Sequence, residues 1–110
     1  MQSFVYFLLS ADTMRMKIGV SEDPDARSCE LQIGNGSHLE LIGWVKGDLG
    51  LERDLHRAMR PWHAKGEWFH VDDNIVAIVR AACEDDERRR LLSQLEASVR
   101  HVLPFEYADA

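Results

Sequence analysis

The sequence is poor in the residues that mark disulfide scaffolds, collagen-like repeats and membrane spans. Its 110 residues include 2 cysteines, 7 glycines and 3 prolines. Cys29 and Cys83 are far apart and lack a CxxC spacing, which argues against a disulfide framework and a cysteine-based zinc site. The longest apolar run, Phe4 to Leu9, is far shorter than the roughly 20 residues of a transmembrane helix. Gln2 and Ser3 are not the basic start of a secretory signal, so we expect a cytoplasmic protein with unpaired thiols and no membrane partner.

Positively charged residues are fewer than acidic residues, and the two types are unevenly distributed along the chain. The chain has 13 Lys and Arg against 19 Asp and Glu, a net charge of -6, and the acidic excess is concentrated in residues 72–110. The hydrophobic fraction of 45% and charged fraction of 29% are typical of one ordinary globular domain. A locally basic stretch, with His56 and His63 beside it, can face a phosphate backbone. Its candidate nucleic-acid-binding residues are Arg53, Arg57, Arg60 and Lys65.

Strand and helix signals alternate in the first half of the chain. Residues 3–10 and 17–20 predict a β-hairpin, and residues 39–46 predict a third strand. Both faces of the first strand are apolar, so helices should cover the sheet on each side. Asp23 followed by Pro24 predicts the start of a helix that spans about residues 24–33.

The second half is predominantly helical by pattern. A helix starting at residues 47–48 carries an apolar stripe, whereas Glu52, His56 and Arg60 share a neighbouring face. Residues 64–66 predict a turn, and residues 67–71 an extended segment against the sheet edge. Apolar stripes then predict either one kinked helix or two. We therefore expect a core at residues 1–71 and a C-terminal helical extension, residues 72–110, packed on the same domain.

Several short motifs occur together in a particular order. They are Val5-Tyr6, Lys17-Ile18-Gly19, Arg27, Leu51-Glu52 with His56, and Gly66-Glu67-Trp68-Phe69. Together they resemble the GIY-YIG nuclease superfamily, and more closely its T5orf172 or MUG113 branch. The resemblance spans about residues 4–71 and implies a small α/β domain around a three-stranded antiparallel sheet flanked by helices. It also implies an endonuclease that hydrolyses nucleic-acid phosphodiester bonds, with DNA as the expected substrate and one divalent ion, Mg²⁺ or Mn²⁺, as cofactor.

Phosphodiester hydrolysis requires a base for water, a cation for the developing negative charge, and a carboxylate for the metal. The resemblance implies that Tyr6 is the general base, although a phenol serves this role only when neighbouring cations lower its pKa from about 10. Arg27 would stabilise the scissile phosphate with its fork of donors. Glu67 would hold the metal, with Lys17 and His56 assisting.

Gly19 would allow the substrate backbone to approach the strand end, because it has no Cβ atom. Other positions depart from the family pattern. Phe4 replaces the glycine of the first motif, Lys17 replaces the leading tyrosine of the second, and Leu31 replaces a histidine of many active members. These departures favour an alternative function, a catalytically degenerate nucleic-acid-binding or regulatory module of phage or mobile-element type.

Two further hypotheses concern other residues. Zinc could be bound by His56, His63 and His70, but no HExxH pattern accompanies them. The amphipathic C-terminal helices could form a homodimer interface.

Overall fold

The computed structural model describes residues 1–100, which form an α/β fold with four helices and a five-stranded antiparallel sheet. The strands are β1 (Phe4–Ser10), β2 (Arg15–Ser21), β3 (Leu39–Lys46), β4 (His63–Lys65) and β5 (Trp68–His70). The helices are α1 (Pro24–Ile33), α2 (Leu49–Ala58), α3 (Asp73–Asp85) and α4 (Arg88–Ser98), with a 3₁₀ turn at Arg60–Trp62. The strand order across the sheet is β3-β1-β2-β5-β4. Within residues 1–100, no helix combines the length and the apolar character needed to cross a membrane.

The expected three-stranded sheet is wrong, because two further strands extend it. Residues 67–71 do lie against the sheet edge as predicted, since β5 pairs with β2. Residues 64 and 65, predicted to lie in a turn, instead belong to β4, which pairs with β5. Each added strand has only three residues, too few to establish a period-two pattern, and neighbouring strands rather than local propensity hold them in place.

Helices cover both faces of the sheet, as the apolar pattern of β1 predicts. The face containing Val5 and Phe7 packs against α2, α3 and α4 in the larger core cluster. The opposite face contains Tyr6 and Leu8, which form a smaller cluster with half-buried Leu31 of α1. Helices packed on both faces therefore hold in place the sheet that carries site residues.

The predicted start of α1 is confirmed. Asp23 accepts a hydrogen bond from the backbone nitrogen of Ala26 at 3.1 Å, and Pro24 is the first helical residue. A side-chain oxygen at this position satisfies a backbone donor that lacks a partner within the helix.

The C-terminal segment forms two helices, which decides between the alternatives left by the sequence. Asp86 adopts a left-handed conformation, with φ 53°, and separates α3 from α4. Leu91 and Leu95 of α4 are fully buried in the larger core cluster. The division between residues 71 and 72 and the C-terminal homodimer remain predictions, and residues 101–110 lie outside the described chain.

Helix α3 approaches β3 closely at Gly43. A Cβ atom there would lie 2.7 Å from Cβ of Cys83, and φ is +156°, so glycine suits both the space and the backbone. Cys83 and the exposed Cys29 are both unpaired, as predicted. Burial, with a smaller effect of Asp86, raises the pKa of Cys83 to about 12, so its thiol stays protonated.

Candidate active site

The candidate site lies where β5 separates from β2. Their pairing ends with Lys17 opposite Trp68. Beyond this pair, the backbone nitrogen of Ile18 donates to the carbonyl oxygen of Glu67 at 3.1 Å. The carbonyl oxygen of Ile18 lies 2.8 Å from Nε2 of His56. One backbone residue of β2 thus anchors two predicted site residues from different parts of the chain.

The hydrogen bond to Ile18 fixes the protonation pattern of neutral His56. A carbonyl oxygen only accepts, so Nε2 must donate its proton to it. The Nδ1 atom of a neutral imidazole then carries a free lone pair, which can accept a proton or bind a metal. Phe69 packs at an angle of 62° to the His56 ring, with ring centroids 5.0 Å apart, and restricts its orientation.

Lys17 and Glu67 form a short ion pair across the gap between the strands. Lys17 Nζ donates to Glu67 Oε1 at 2.6 Å. The lysine side chain is only 12% exposed, whereas the glutamate side chain is 42% exposed. The largely buried ammonium group of Lys17 therefore orients the Glu67 carboxylate, which is exposed enough to bind a ligand from solvent.

Glu52 joins this arrangement from α2. Ligand atoms of Glu52, His56 and Glu67 all lie within 4.8 Å of one another. Burial raises the pKa of Glu52, and the nearby negative charge of Glu67 raises it further. A divalent cation would relieve the repulsion between these carboxylates, whose oxygens are the donors that suit Mn²⁺ or Mg²⁺.

The burial of Glu52 and its repulsion from Glu67 lower the stability of the metal-free protein at neutral pH. A raised carboxyl pKa means that the folded state binds more protons than the unfolded state, so stability falls as pH rises above the ordinary glutamate range. We expect Glu52→Gln to raise the free energy of unfolding at pH 7 by less than about 1 kcal/mol, with the gain disappearing below about pH 4. Urea denaturation in EDTA at both pH values measures this. The exposed Glu84→Gln variant is the control, and equal pH dependence in the two variants would contradict the expectation.

Tyr6 and Arg27 meet on the face of the sheet covered by α1. The guanidinium of Arg27 donates a hydrogen bond to Glu30 at 3.1 Å, and interactions with the nearby Tyr6 and then with Glu30 raise the pKa of the arginine. The Tyr6 ring lies directly over Gly19, where an added Cβ atom would be 2.6 Å from the phenolic oxygen. Packing of Tyr6 therefore requires glycine at this position, whereas a substrate contact at Gly19 remains a prediction.

The predicted basic residues lie beside the carboxylates. Arg53, Arg57 and Arg60 line a cleft together with His56. Lys65 is exposed on β4 but does not line this cleft.

The structure brings the predicted site residues into two neighbouring groups. Lys17, His56 and Glu67 form one around the gap between β2 and β5, and Tyr6 and Arg27 form the other over Gly19. Gly19 lies two positions from Lys17 on β2, so the two groups share a strand.

Sequence reasoning missed one member of the candidate metal group. Glu52 was not among the predicted site residues, although it shares a helix face with His56 four residues later, and that spacing is the signal that could have identified it. The predicted zinc alternative gains no support in the described chain, since His63 and His70 are not members of the group around His56.

The family model for the T5orf172 domain matches residues 3–85. The chain belongs to the T5orf172 domain family. Searches of curated proteins and of solved structures give no match.

The matched part of this T5orf172 domain runs from the residue before β1 to the end of α3, and it contains both groups of site residues. Family membership associates the chain with a nuclease-like or nucleic-acid-associated role. Helix α4 lies beyond the matched span.

Proposed function

We propose that this T5orf172 domain is a metal-dependent endonuclease of the GIY-YIG type that hydrolyses phosphodiester bonds, with DNA as its substrate. The observation that carries the proposal is the position of the Glu67 carboxylate. It is held at 2.6 Å by Lys17 and lies beside the ligand atoms of Glu52 and His56. The pairing of Tyr6 with Arg27 over the same strand supports it further.

The reaction assigns a separate task to each side chain. Tyr6 would be the general base that takes a proton from the attacking water as the new oxygen–phosphorus bond forms and the bond to the leaving strand breaks. Arg27 donates hydrogen bonds to the phosphate oxygens, whose negative charge increases in the transition state. The exposed position of Arg27 allows this contact, since its side chain is 47% exposed.

Glu67 would hold a divalent ion together with Glu52 and His56, and Lys17 would keep the Glu67 carboxylate oriented. When bound, Mg²⁺ or Mn²⁺ supplies positive charge at the phosphate and the leaving oxygen. The Nε2–Ile18 hydrogen bond directs the free Nδ1 lone pair of His56 to this role, in the manner of outer-shell contacts that orient metal ligands.

The test is cleavage of supercoiled plasmid and of single- and double-stranded oligonucleotides in Mg²⁺, Mn²⁺ or EDTA. We expect product in either metal and none in EDTA. Tyr6→Phe should lower the rate by about 100-fold, because it removes the general base but keeps the buried ring. Its free energy of unfolding is measured in parallel to separate chemistry from folding. Equal rates for wild type and variant, or equal product with and without metal, would refute the proposal.

A second candidate function is nucleic-acid binding without catalysis. The observation that favours it is that Lys17, which replaces a tyrosine of the family pattern, already neutralises Glu67 without a metal. Salt-dependent binding without metal-dependent product in the same assay would support this alternative.

A further inference from the structure

A basic cleft adjoins the candidate site on the side away from Tyr6. Its volume is about 400 Å³, and α2, the 3₁₀ turn and the β4–β5 hairpin form its walls. It is lined by Arg53, His56, Arg57, Arg60, His63, Gly66 and Phe69.

The charge of this cleft is opposite to that of the chain. The chain carries a net charge of -6, yet the residues lining the cleft include three arginines and no carboxylate. Arg53 and Arg57 are four residues apart on α2, and Arg60 follows in the 3₁₀ turn, so all three face one side. Asp54 approaches Arg57 at 3.7 Å, but both side chains are exposed, so this ion pair is weak.

The opposite wall of the cleft is rigid. His63 Nε2 lies 2.8 Å from the carbonyl oxygen of Gly66 and donates to it. The rings of His63 and His56 both pack edge-on to Phe69, with centroid distances of 5.4 and 5.0 Å. An anion entering the cleft would thus be bound by the exposed arginines, against a wall of rings that are already positioned.

The cleft adjoins the candidate active site. Lys17 lies on β2, Glu67 immediately before β5 and His63 on β4, which is their order across the sheet. Tyr6 packs on the α1 face of the sheet, whereas Phe69 of the cleft packs on the α2 face. His56 belongs both to the candidate metal group and to the cleft lining.

We infer that the cleft binds the sugar-phosphate backbone of a nucleic-acid strand beyond the scissile phosphate, on the side away from Tyr6. The direction of the strand rests on the proposed function, whereas backbone binding by the cleft does not require cleavage. Arg53 and Arg60 contact phosphates, so affinity should depend on salt and be independent of base sequence.

The experiment measures fluorescence anisotropy of labelled single-stranded and duplex oligonucleotides in EDTA at several salt concentrations. It compares wild type with Arg53→Gln/Arg60→Gln and with the charge-matched control Arg89→Gln/Arg90→Gln at the start of α4. At 0.1 M salt we expect the cleft variant to bind at least about tenfold more weakly, and its salt slope to fall by about 1.4 to 1.8. The control should stay within about twofold, because Arg89 and Arg90 do not line the cleft and so are not placed to contact a phosphate bound there.

Equal losses in the two double variants, or no nucleic-acid binding by wild type, would overturn the inference. Stronger binding of the duplex or of the single strand identifies the form that the cleft accepts, and either preference supports backbone binding if the cleft variant loses it. Because binding is measured without metal, its result is independent of the cleavage assay. The inference about the cleft can therefore fail while the nuclease proposal stands, and the nuclease proposal can fail while the inference about the cleft stands.

Discussion

Replacing Glu67 by glutamine is expected to lower metal-dependent strand cleavage by about 1,000-fold. Glutamine keeps the size of the side chain but removes the charge that Lys17 contacts at 2.6 Å and that a divalent ion would require. Loss of several kcal/mol of charge stabilisation at the phosphate corresponds to at least this factor. Initial rates of oligonucleotide cleavage at saturating Mn²⁺ measure the effect.

Glu84→Gln provides the matched control for this variant. Glu84 is exposed at the end of α3, beside the β3 edge of the sheet, and should leave the rate unchanged within about twofold. Calorimetric titration with Mn²⁺ supplies a readout independent of turnover, and the Glu67 variant should bind the ion more weakly. Full activity together with unchanged Mn²⁺ affinity would remove Glu67 from the site.

Gly19→Ala is expected to destabilise the protein by about 1–3 kcal/mol and to reduce cleavage strongly. The added Cβ atom would lie 2.6 Å from the Tyr6 hydroxyl and 2.7 Å from its ring carbon, and the Tyr6 side chain is only 1% exposed. A buried ring has little room to move, so the cost is that of overpacking a core. The phenol must also leave its position beside Arg27. Urea denaturation and cleavage rates measure the two effects.

Two comparisons isolate the clash as the cause. Gly36→Ala should be close to neutral, because nothing lies within 4 Å of its added Cβ atom. In a Tyr6→Leu background, Gly19→Ala should cost less than it does in wild type, because the ring atoms that it meets are gone. An equal cost in both backgrounds would show that the alanine acts through the backbone of β2 instead.

Local signals predict much of the fold. The helix start at Asp23 and Pro24 depends on a capping side chain and a fixed φ angle, both of which act within a few residues, and the structure confirms it. Strand β4 is different, because its three residues are defined by pairing with β5, which is itself held by the distant strand β2. The boundary between α3 and α4 depends on one left-handed residue, Asp86, within a continuous charged run that contains no glycine or proline.

The residues of the candidate site were predicted in part, because the order of the motifs along the chain carries some information about contacts between distant residues. Motif order brought Lys17 and Glu67 into one hypothesis, and the structure shows that a hydrogen bond joins them over 50 positions of sequence. The helical spacing from His56 pointed to Glu52, but its raised pKa could not be deduced from the helix, because it arises from burial and from a carboxylate on another element. Likewise, the packing of Gly19 against the ring of Tyr6 was not foreseen, and its predicted role in substrate approach remains a prediction.

The borders of the sheet constrain how this domain can associate. Strand β4, at one border, has only three residues. At the other border, the backbone nitrogen of Lys46 at the end of β3 donates to Asp86, and its carbonyl oxygen accepts from Arg88. A short strand and occupied backbone groups both hinder strand addition from a second molecule, which is how many proteins avoid aggregation. Within residues 1–100, both borders of the sheet are therefore poor sites for strand addition at these positions.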